Sequence, residues 1–178
     1  MNSKAMAGWG VVFLTGWLHC IVGAMQSGEP MTIRGLPLPA LLVKLLGSGA
    51  WRHPGDRVLA QVIPFLREPV DFLASVAEMR RESSTDLVDD PHCSFFYTLR
   101  GSSHAAPIDL PWLDIELAVF VAVNREPGAD IGVALDYRTS REDPRVVASD
   151  WWSGPHACLW REVAPTFSEF VALVGLKV

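Results

Sequence analysis

Two runs of alternating apolar residues, joined by a short link, constrain this fold more than any other feature of the chain. From Ile115 to Val123 an apolar side chain of the larger kind occupies every second position, and the same alternation returns from Ile131 to Tyr137. Such alternation is typical of half-buried β-strands. The link, residues 124–130, contains Pro127-Gly128 and is too short for a parallel crossover. The two runs therefore predict an antiparallel hairpin.

Shorter segments extend this predicted sheet. Arg145 to Ser149 follows the SREDP turn as a third strand, and Cys158 to Val163 is a candidate fourth. The segment 94–99 also alternates and predicts another strand. We expect a central antiparallel sheet of about four to six strands, with Asp136 on the polar side of a half-buried strand.

The first half of the chain after residue 30 has helical periodicity. Pro39 suits a first helical position, and Gly49 suits a helix end. A second short helix is predicted from Asp56 to Pro64, and a third from near Pro69 to Ser84. The predicted apolar faces are Leu38, Leu41, Leu42, Leu45 and Leu46 in the first helix, Val58, Leu59, Val62 and Ile63 in the second, and Phe72, Leu73, Val76 and Met79 in the third.

The final predicted element is a helix with a defined start and end. Thr166 and Glu169 have the spacing of a capping box, in which each side chain accepts a hydrogen bond from a backbone N–H of the first turn. Gly175 follows the last apolar position, where a glycine commonly ends a helix. The apolar face consists of Phe167, Phe170, Val171 and Val174. N-terminal helices, a central antiparallel sheet and a C-terminal capped helix together indicate the α+β class.

The first 30 residues are set apart from this domain. Between Lys4 and Glu29 the chain carries no lysine, arginine or carboxylate side chain and is mostly apolar. Three interpretations are open: translation starts at Met25 or Met31, the segment is a secretory signal, or it is a membrane anchor. We favour the first, because nothing downstream is typical of an exported protein. Residues 31–178 are predicted to form a single domain.

Composition and charge limit the functions that suit this chain. The net charge of −5 argues against a dedicated nucleic-acid binder, which normally has a basic face. The three cysteines, Cys20, Cys93 and Cys158, are odd in number and widely spaced, so no disulfide framework is inferred. A reducing compartment is the simpler interpretation, and we expect a cytoplasmic protein. Export or membrane anchoring is the alternative if residues 1–24 are translated.

Catalytic and metal-binding patterns are weak. The sequence has no Walker-type phosphate loop, no G-x-G-x-x-G after a strand, no G-x-S-x-G and no H-E-x-x-H. The nearest approach to a metal site combines His92 and Cys93 with His156 and Cys158, four ligands that tetrahedral zinc accepts, although their spacing departs from the usual pairs. We therefore predict no catalytic residue and no cofactor. A small zinc-binding or hydrolytic domain built on these two pairs is the alternative.

Charged and aromatic residues in the last third of the chain form the candidate partner-binding set. Arginine and tryptophan are concentrated at the energetic centres of protein interfaces. The competing interpretation is a solvated turn with weak ion pairs, and at least one of Trp151, Trp152 and Trp160 is expected to lie in the core. The candidate set is Asp136, Arg138, Arg141, Glu142, Asp150, Trp151 and Trp152.

The C-terminal half also carries a family resemblance. Its residues are the strand Ile131–Tyr137, the segment Asp143–Val147, Trp160, the segment Val163–Phe170 leading into the last helix, and earlier Leu36-Pro37 with Leu42. On these residues the chain resembles the SUKH superfamily, which includes fungal cell-wall-synthesis regulators and bacterial toxin-immunity proteins. In that superfamily a tryptophan near this strand and a phenylalanine-bearing helix close the domain.

The resemblance implies an intracellular, non-enzymatic α+β domain that binds another protein. In bacterial members the partner is commonly a toxin domain, often a nuclease, which the immunity protein neutralises. We therefore expect an immunity-type neutraliser or an adaptor, with no direct contact to nucleic acid, and none to a membrane unless residues 5–24 are a genuine leader or anchor. The charge of −5 is compatible with a basic partner surface, since complementary potentials speed encounter.

Overall fold

A five-stranded antiparallel sheet organises the part of the chain that the computed structural model describes, which is residues 30–84, 110–111, 113–126, 131–153 and 159–178. Across the sheet the strands are β3 (Val70–Phe72), β4 (Ala118–Asn124), β5 (Gly132–Asp136), β6 (Arg145–Asp150) and β7 (Leu159–Ala164). A separate hairpin pairs β1 (Thr32–Ile33) with β2 (Leu36–Pro37). The helices are α1 (Ala40–Ser48), α2 (Asp56–Val62), α3 (Val76–Glu82) and α4 (Phe167–Leu173). The predicted α+β class is confirmed.

The central hairpin forms as predicted, with a later start. β4 and β5 pair antiparallel, Val119 opposite Leu135, and the register shifts between Phe120 and Ala122. The first predicted strand begins at Ala118 instead of Ile115, because residues 115–117 form one 3-10 turn. Alternation alone does not distinguish such a turn from the end of a strand.

The third predicted helix is wrong over its first half. Val70–Phe72 forms edge strand β3, with Phe72 opposite Ala122 of β4. The helix starts after Ser75, whose Oγ accepts the Glu78 N–H at 3.2 Å. Glu78 in turn accepts the Ala74 N–H at 2.7 Å. The S-x-x-E spacing of Ser75 and Glu78 is the sequence signal that marks this helix start. The prediction placed the start too early because Phe72 and Leu73 have helical spacing to Val76 and Met79.

The C-terminal helix is confirmed at both ends. Thr166 Oγ1 accepts the Glu169 N–H at 3.1 Å. Gly175 has φ of 74°, and the next N–H, that of Leu176, reaches the Val171 carbonyl at 3.1 Å. This is the Schellman arrangement, which needs a left-handed residue that glycine adopts without strain. The helix can therefore close the sheet at a fixed position.

Both faces of the central strands are covered. On one face, Val133 and Leu135 belong to a cluster with Leu42 of α1 and Phe167 of α4. On the other face, a smaller cluster surrounds Trp160, which is 1% exposed, and contains Leu113, Ala118, Ala134 and Val147. Every residue of β5 and β6 is consequently buried. The expectation that Asp136 lies on the polar face of a half-buried strand is wrong, because a second apolar layer covers that face.

Gly132 marks the closest approach inside the hairpin. A Cβ at this position would lie 2.8 Å from Cε1 of Phe120. We expect Gly132→Ala to lower the free energy of unfolding by about 1–3 kcal/mol, because the half-buried ring must move. Gly47, in α1, has nothing within 4 Å of the same added atom, so Gly47→Ala is the control and is expected to be neutral or stabilising. Chemical denaturation of both variants checks this, and equal effects would contradict it.

Several segments for which the sequence predicts a structure lie outside the described residues. These are the apolar leader before residue 30, the strand at 94–99 and the first residue of the strand predicted from Cys158. The residues Met31–Val178 form one compact unit by their contacts. Among the described residues, no helix has the length and apolar character needed to cross a membrane.

Candidate functional site

The predicted partner-binding residues do not form one surface. Arg138–Glu142 lie in the turn between β5 and β6, beside Arg145 at the start of β6. Trp151 and Trp152 follow Asp150 at the other end of that strand. The two ends are roughly 17 Å apart, at about 3.4 Å per residue. The structure therefore divides the predicted set into a turn end and a tryptophan end.

A buried ion network occupies the turn end. The Asp136 carboxylate is 0% exposed and accepts hydrogen bonds from Arg138 Nε at 2.8 Å and Nη2 at 2.7 Å. Arg145 Nε donates to the same carboxylate at 2.8 Å, and Nη1 of Arg145 lies 3.8 Å from Glu162. Burial alone would raise the pKa of Asp136, but the two guanidinium groups outweigh it and hold the pKa below its usual range. Asp136 is thus a structural counter-ion that a partner does not reach.

The turn itself is tied to neighbouring elements. Arg141 donates to the Gly35 carbonyl at 3.0 Å, and Asp143 accepts the Ser168 N–H in the first turn of α4 at 3.0 Å. Arg141 and Glu142 are both exposed. Among the predicted residues of the turn end, these two are the ones available to a partner, and one of them already bridges to the β1–β2 hairpin.

A second buried carboxylate, Asp150, organises the tryptophan end. Its Oδ1 accepts the backbone N–H groups of Trp152 at 3.0 Å and Ser153 at 3.1 Å. The Arg161 guanidinium lies 2.6 Å from Oδ2, but this oxygen lacks a well-directed hydrogen bond, so the contact is an ion pair. Burial would raise the pKa of Asp150, and the bonds from Ser153 and Trp152 with the Arg161 charge lower it overall. Asp150 positions its neighbours and is not itself accessible.

Two arginine–aromatic pairs lie at the tryptophan end, and one of them includes the Arg161 partner of this carboxylate. The Arg67 guanidinium lies 5.5 Å from the ring centre of Trp152, and that of Arg161 lies 5.6 Å from the ring centre of Phe65. Trp152 is 50% exposed. We call Phe65, Arg67, Trp152 and Arg161 the arginine–aromatic surface. Guanidinium groups over rings at this distance are attracted by the ring quadrupole, which restrains both partners.

An open groove adjoins the arginine–aromatic surface. Its volume is about 520 Å³, and two residues of the surface, Phe65 and Arg161, line it together with Leu159, Trp160 and Glu162. Sequence reasoning identified Trp152 but missed Phe65, Arg67 and Arg161. Phe65 and Arg67 come from the α2–β3 connection, far from Trp152 in the chain, and Arg161 comes from β7, where no local pattern distinguished it from the neighbouring charged residues.

The histidine that the structure describes, His53, is not arranged as a general base. Its Nδ1 accepts the Gly55 N–H at 3.0 Å, which uses the lone pair that a neutral imidazole would need for proton abstraction. Its Nε2 lies 3.4 Å from Asp56, and Asp56 is held by Arg125 at 3.1 Å. The Arg125 hydrogen bond lowers the pKa of Asp56. Asp56 and Arg125 thus form an exposed ion pair that lines a hollow of about 340 Å³.

Metal binding has no candidate in the described part of the chain. No three His, Cys, Asp or Glu side chains come together there in a way that could hold a metal ion. His92, Cys93, His156 and Cys158, the alternative zinc set, all lie outside the described residues. The zinc hypothesis therefore stays a sequence prediction.

Comparisons with known proteins add no relative. No protein-family model matches the chain, and neither the curated proteins nor the solved structures provide a match. The resemblance to the SUKH superfamily rests on the residues quoted above.

Proposed function

We propose that this chain is a non-enzymatic, cytoplasmic protein-binding module, either an immunity-type neutraliser of a toxin domain or an adaptor. The observation that carries the proposal is the half-exposed Trp152, held against Arg67 beside an open groove. Tryptophan and arginine are the residues most enriched at the energetic centres of protein interfaces. The SUKH resemblance of the C-terminal half supports the same class of function.

The arginine–aromatic surface is preorganised, as is expected of a binding site. An indole that is fixed before binding loses little conformational freedom when a partner covers it. Here the Asp150 carboxylate holds the backbone at Trp152 and Ser153, and Arg67 restrains the ring from above. The turn end has fewer side chains available to a partner, because Asp136, Arg138 and Arg145 form ion pairs with one another. We therefore place the binding surface at the tryptophan end.

Replacing Trp152 with alanine is expected to abolish most partner binding while leaving the fold intact. Loss of a central interface tryptophan costs about 2 kcal/mol or more, which is roughly a thirtyfold loss of affinity. The measurement is affinity capture with the full chain from native lysate at about 0.15 M salt, with quantitative mass spectrometry of the retained protein. A toxin or nuclease domain as the retained protein would favour the immunity type, and any other single protein an adaptor.

Leu173 provides a matched control. It is a large apolar residue on α4 that is 54% exposed, comparable to Trp152, and it does not belong to the arginine–aromatic surface. Leu173→Ala should retain the partner as well as the unchanged protein does. Equal loss in both variants, or no stoichiometric partner for the unchanged chain, would argue against a binding module with its site at this surface.

A further inference from the structure

We propose that the arginine–aromatic surface receives an acidic segment of the partner, a stretch of chain whose Asp or Glu side chains meet Arg67 and Arg161. This inference rests on the proposed function and goes beyond it by fixing the charge of the contacting segment. The net charge of −5 by itself favours a basic partner. The local arrangement of charges points the other way.

The two arginines of the surface differ in their ion pairing among the described residues. Arg67 is exposed, and its one described interaction is with the Trp152 ring; no carboxylate lies within ion-pair distance of it among the described residues. Arg161 has Asp150 as its counter-ion and is still 45% exposed. Of the two guanidinium groups of the surface, that of Arg161 thus has a buried counter-ion, and that of Arg67 has no ion pair within the described part of the chain.

Acidic side chains also line the two hollows beside these arginines. Glu162 lines the groove, but its carboxylate lies 3.8 Å from Arg145. Glu68 and Asp56 line the smaller hollow together with Arg67, and Asp56 is held there by Arg125. Neither carboxylate forms an ion pair with Arg67 within the described ranges. The Arg67 guanidinium can therefore take a carboxylate from an incoming segment.

The geometry of the two arginines suits carboxylates. A guanidinium presents its donors in one plane, and a carboxylate accepts two of them side by side. Because Trp152 and Phe65 restrain the two guanidinium groups, less side-chain freedom is lost when the contacts form. The apolar wall of the adjoining groove, which includes Phe65 and Leu159, can accommodate the apolar residues of the same segment.

Single-stranded nucleic acid is the competing occupant, since it also uses arginines and aromatic rings. Such binders combine stacking with a groove of positive charge along the backbone. Here the groove is lined by one arginine and one glutamate, Arg161 and Glu162, and the chain is acidic overall. We therefore favour a protein segment, and the experiment below separates the two.

Charge reversal with a matched control tests the inference. Arg67→Glu and Arg57→Glu both replace an exposed arginine with glutamate and change the net charge equally, but Arg57 lies on α2 and outside the surface. With the captured partner purified, we expect Arg67→Glu to weaken binding about tenfold or more. Arg57→Glu should stay within about twofold. Thermal unfolding confirms that both variants are folded.

The identity of the segment is read by crosslinking. A photoreactive phenylalanine analogue in place of Leu159, which lines the adjoining groove, leaves Trp152 and both arginines unchanged. It is irradiated in the nuclease-treated lysate, and the attached peptide is sequenced by mass spectrometry. An attached peptide in which Asp and Glu outnumber Lys and Arg supports the inference. A basic peptide, or binding that nuclease treatment removes, overturns it.

Failure of this inference differs from failure of the proposed function. If the unchanged chain retains no protein partner, both are overturned. If it retains a partner that Trp152→Ala releases, while Arg67→Glu and Arg57→Glu behave alike, the binding module stands and the acidic segment is rejected.

Discussion

Replacing Asp136 with asparagine is expected to lower the free energy of unfolding by about 3–5 kcal/mol. The carboxylate is 0% exposed and holds both Arg138 and Arg145. Without it, the Arg145 guanidinium, whose side chain is 7% exposed, loses its closest carboxylate, and Glu162 lies farther away at 3.8 Å. A buried charge that loses its partner is costly because its desolvation is no longer offset. Urea denaturation of the variant and the unchanged protein measures the difference.

Glu142→Gln is the control for this substitution. Glu142 lies in the same turn and is exposed, so the same acid-to-amide change is expected to alter stability by less than about 0.5 kcal/mol.

The pH dependence of stability provides a second measurement of the Asp136 contribution. Because the folded pKa of Asp136 lies below its unfolded value of about 3.9, its contribution is present above that value and is lost as the pH falls through the folded pKa. The gap between the unchanged protein and Asp136→Asn should therefore narrow below about pH 4; a constant gap would contradict the ion network.

Trp160→Ala is expected to lower the free energy of unfolding by about 3–5 kcal/mol. The side chain is 1% exposed and is the largest member of the cluster on the second face of the sheet. Its ring centre lies 6.0 Å from that of Phe120. Truncation leaves a cavity between Leu113 and the central strands that surrounding residues fill only in part. Chemical denaturation measures the loss, and a change below about 1 kcal/mol would mean that this second layer contributes little.

A pair of phenylalanine substitutions separates packing from hydrogen bonding in the two core tryptophans. The buried indole N–H of Trp160 has no acceptor among the residues that the structure describes, whereas that of Trp51 donates to the Leu73 carbonyl at 3.0 Å. Trp160→Phe therefore loses packing alone, and Trp51→Phe also leaves a buried carbonyl without its donor. We expect Trp51→Phe to be the more destabilising by about 1 kcal/mol. If Trp160→Phe were the more destabilising of the two, the Trp160 indole N–H would have an acceptor after all.

Local spacing was enough to predict the elements whose ends carry their own signals. The hairpin of β4 and β5 follows from alternation and a link too short for a crossover. The helix α4 follows from Thr166, Glu169 and Gly175, whose side-chain and backbone roles depend on neighbours a few residues away. The segment 70–72 was missed because its strand identity depends on pairing with β4, which is distant in the chain.

The candidate site was predicted only in part for the same reason. Trp151 and Trp152 were predicted together, but nothing in the sequence separated the half-exposed Trp152 from Trp151, which packs against the core. The charged residues of the turn looked like one set with the tryptophans, and β6 keeps them apart. Arg67 and Arg161 enter the surface because the α2–β3 connection and β7 meet beside Asp150.

The sequence by itself determined the α+β class, the central hairpin and the capped last helix, because periodicity, link length and capping act over a few residues. The tertiary structure decided which face of each strand is covered and which charges are buried. In the sequence, Asp136 and Asp150 both look like polar residues near strand ends. In the folded molecule both are buried counter-ions, because other segments cover them. Burial and ion pairing depend on atoms brought together from distant parts of the chain, so they are properties of the folded molecule.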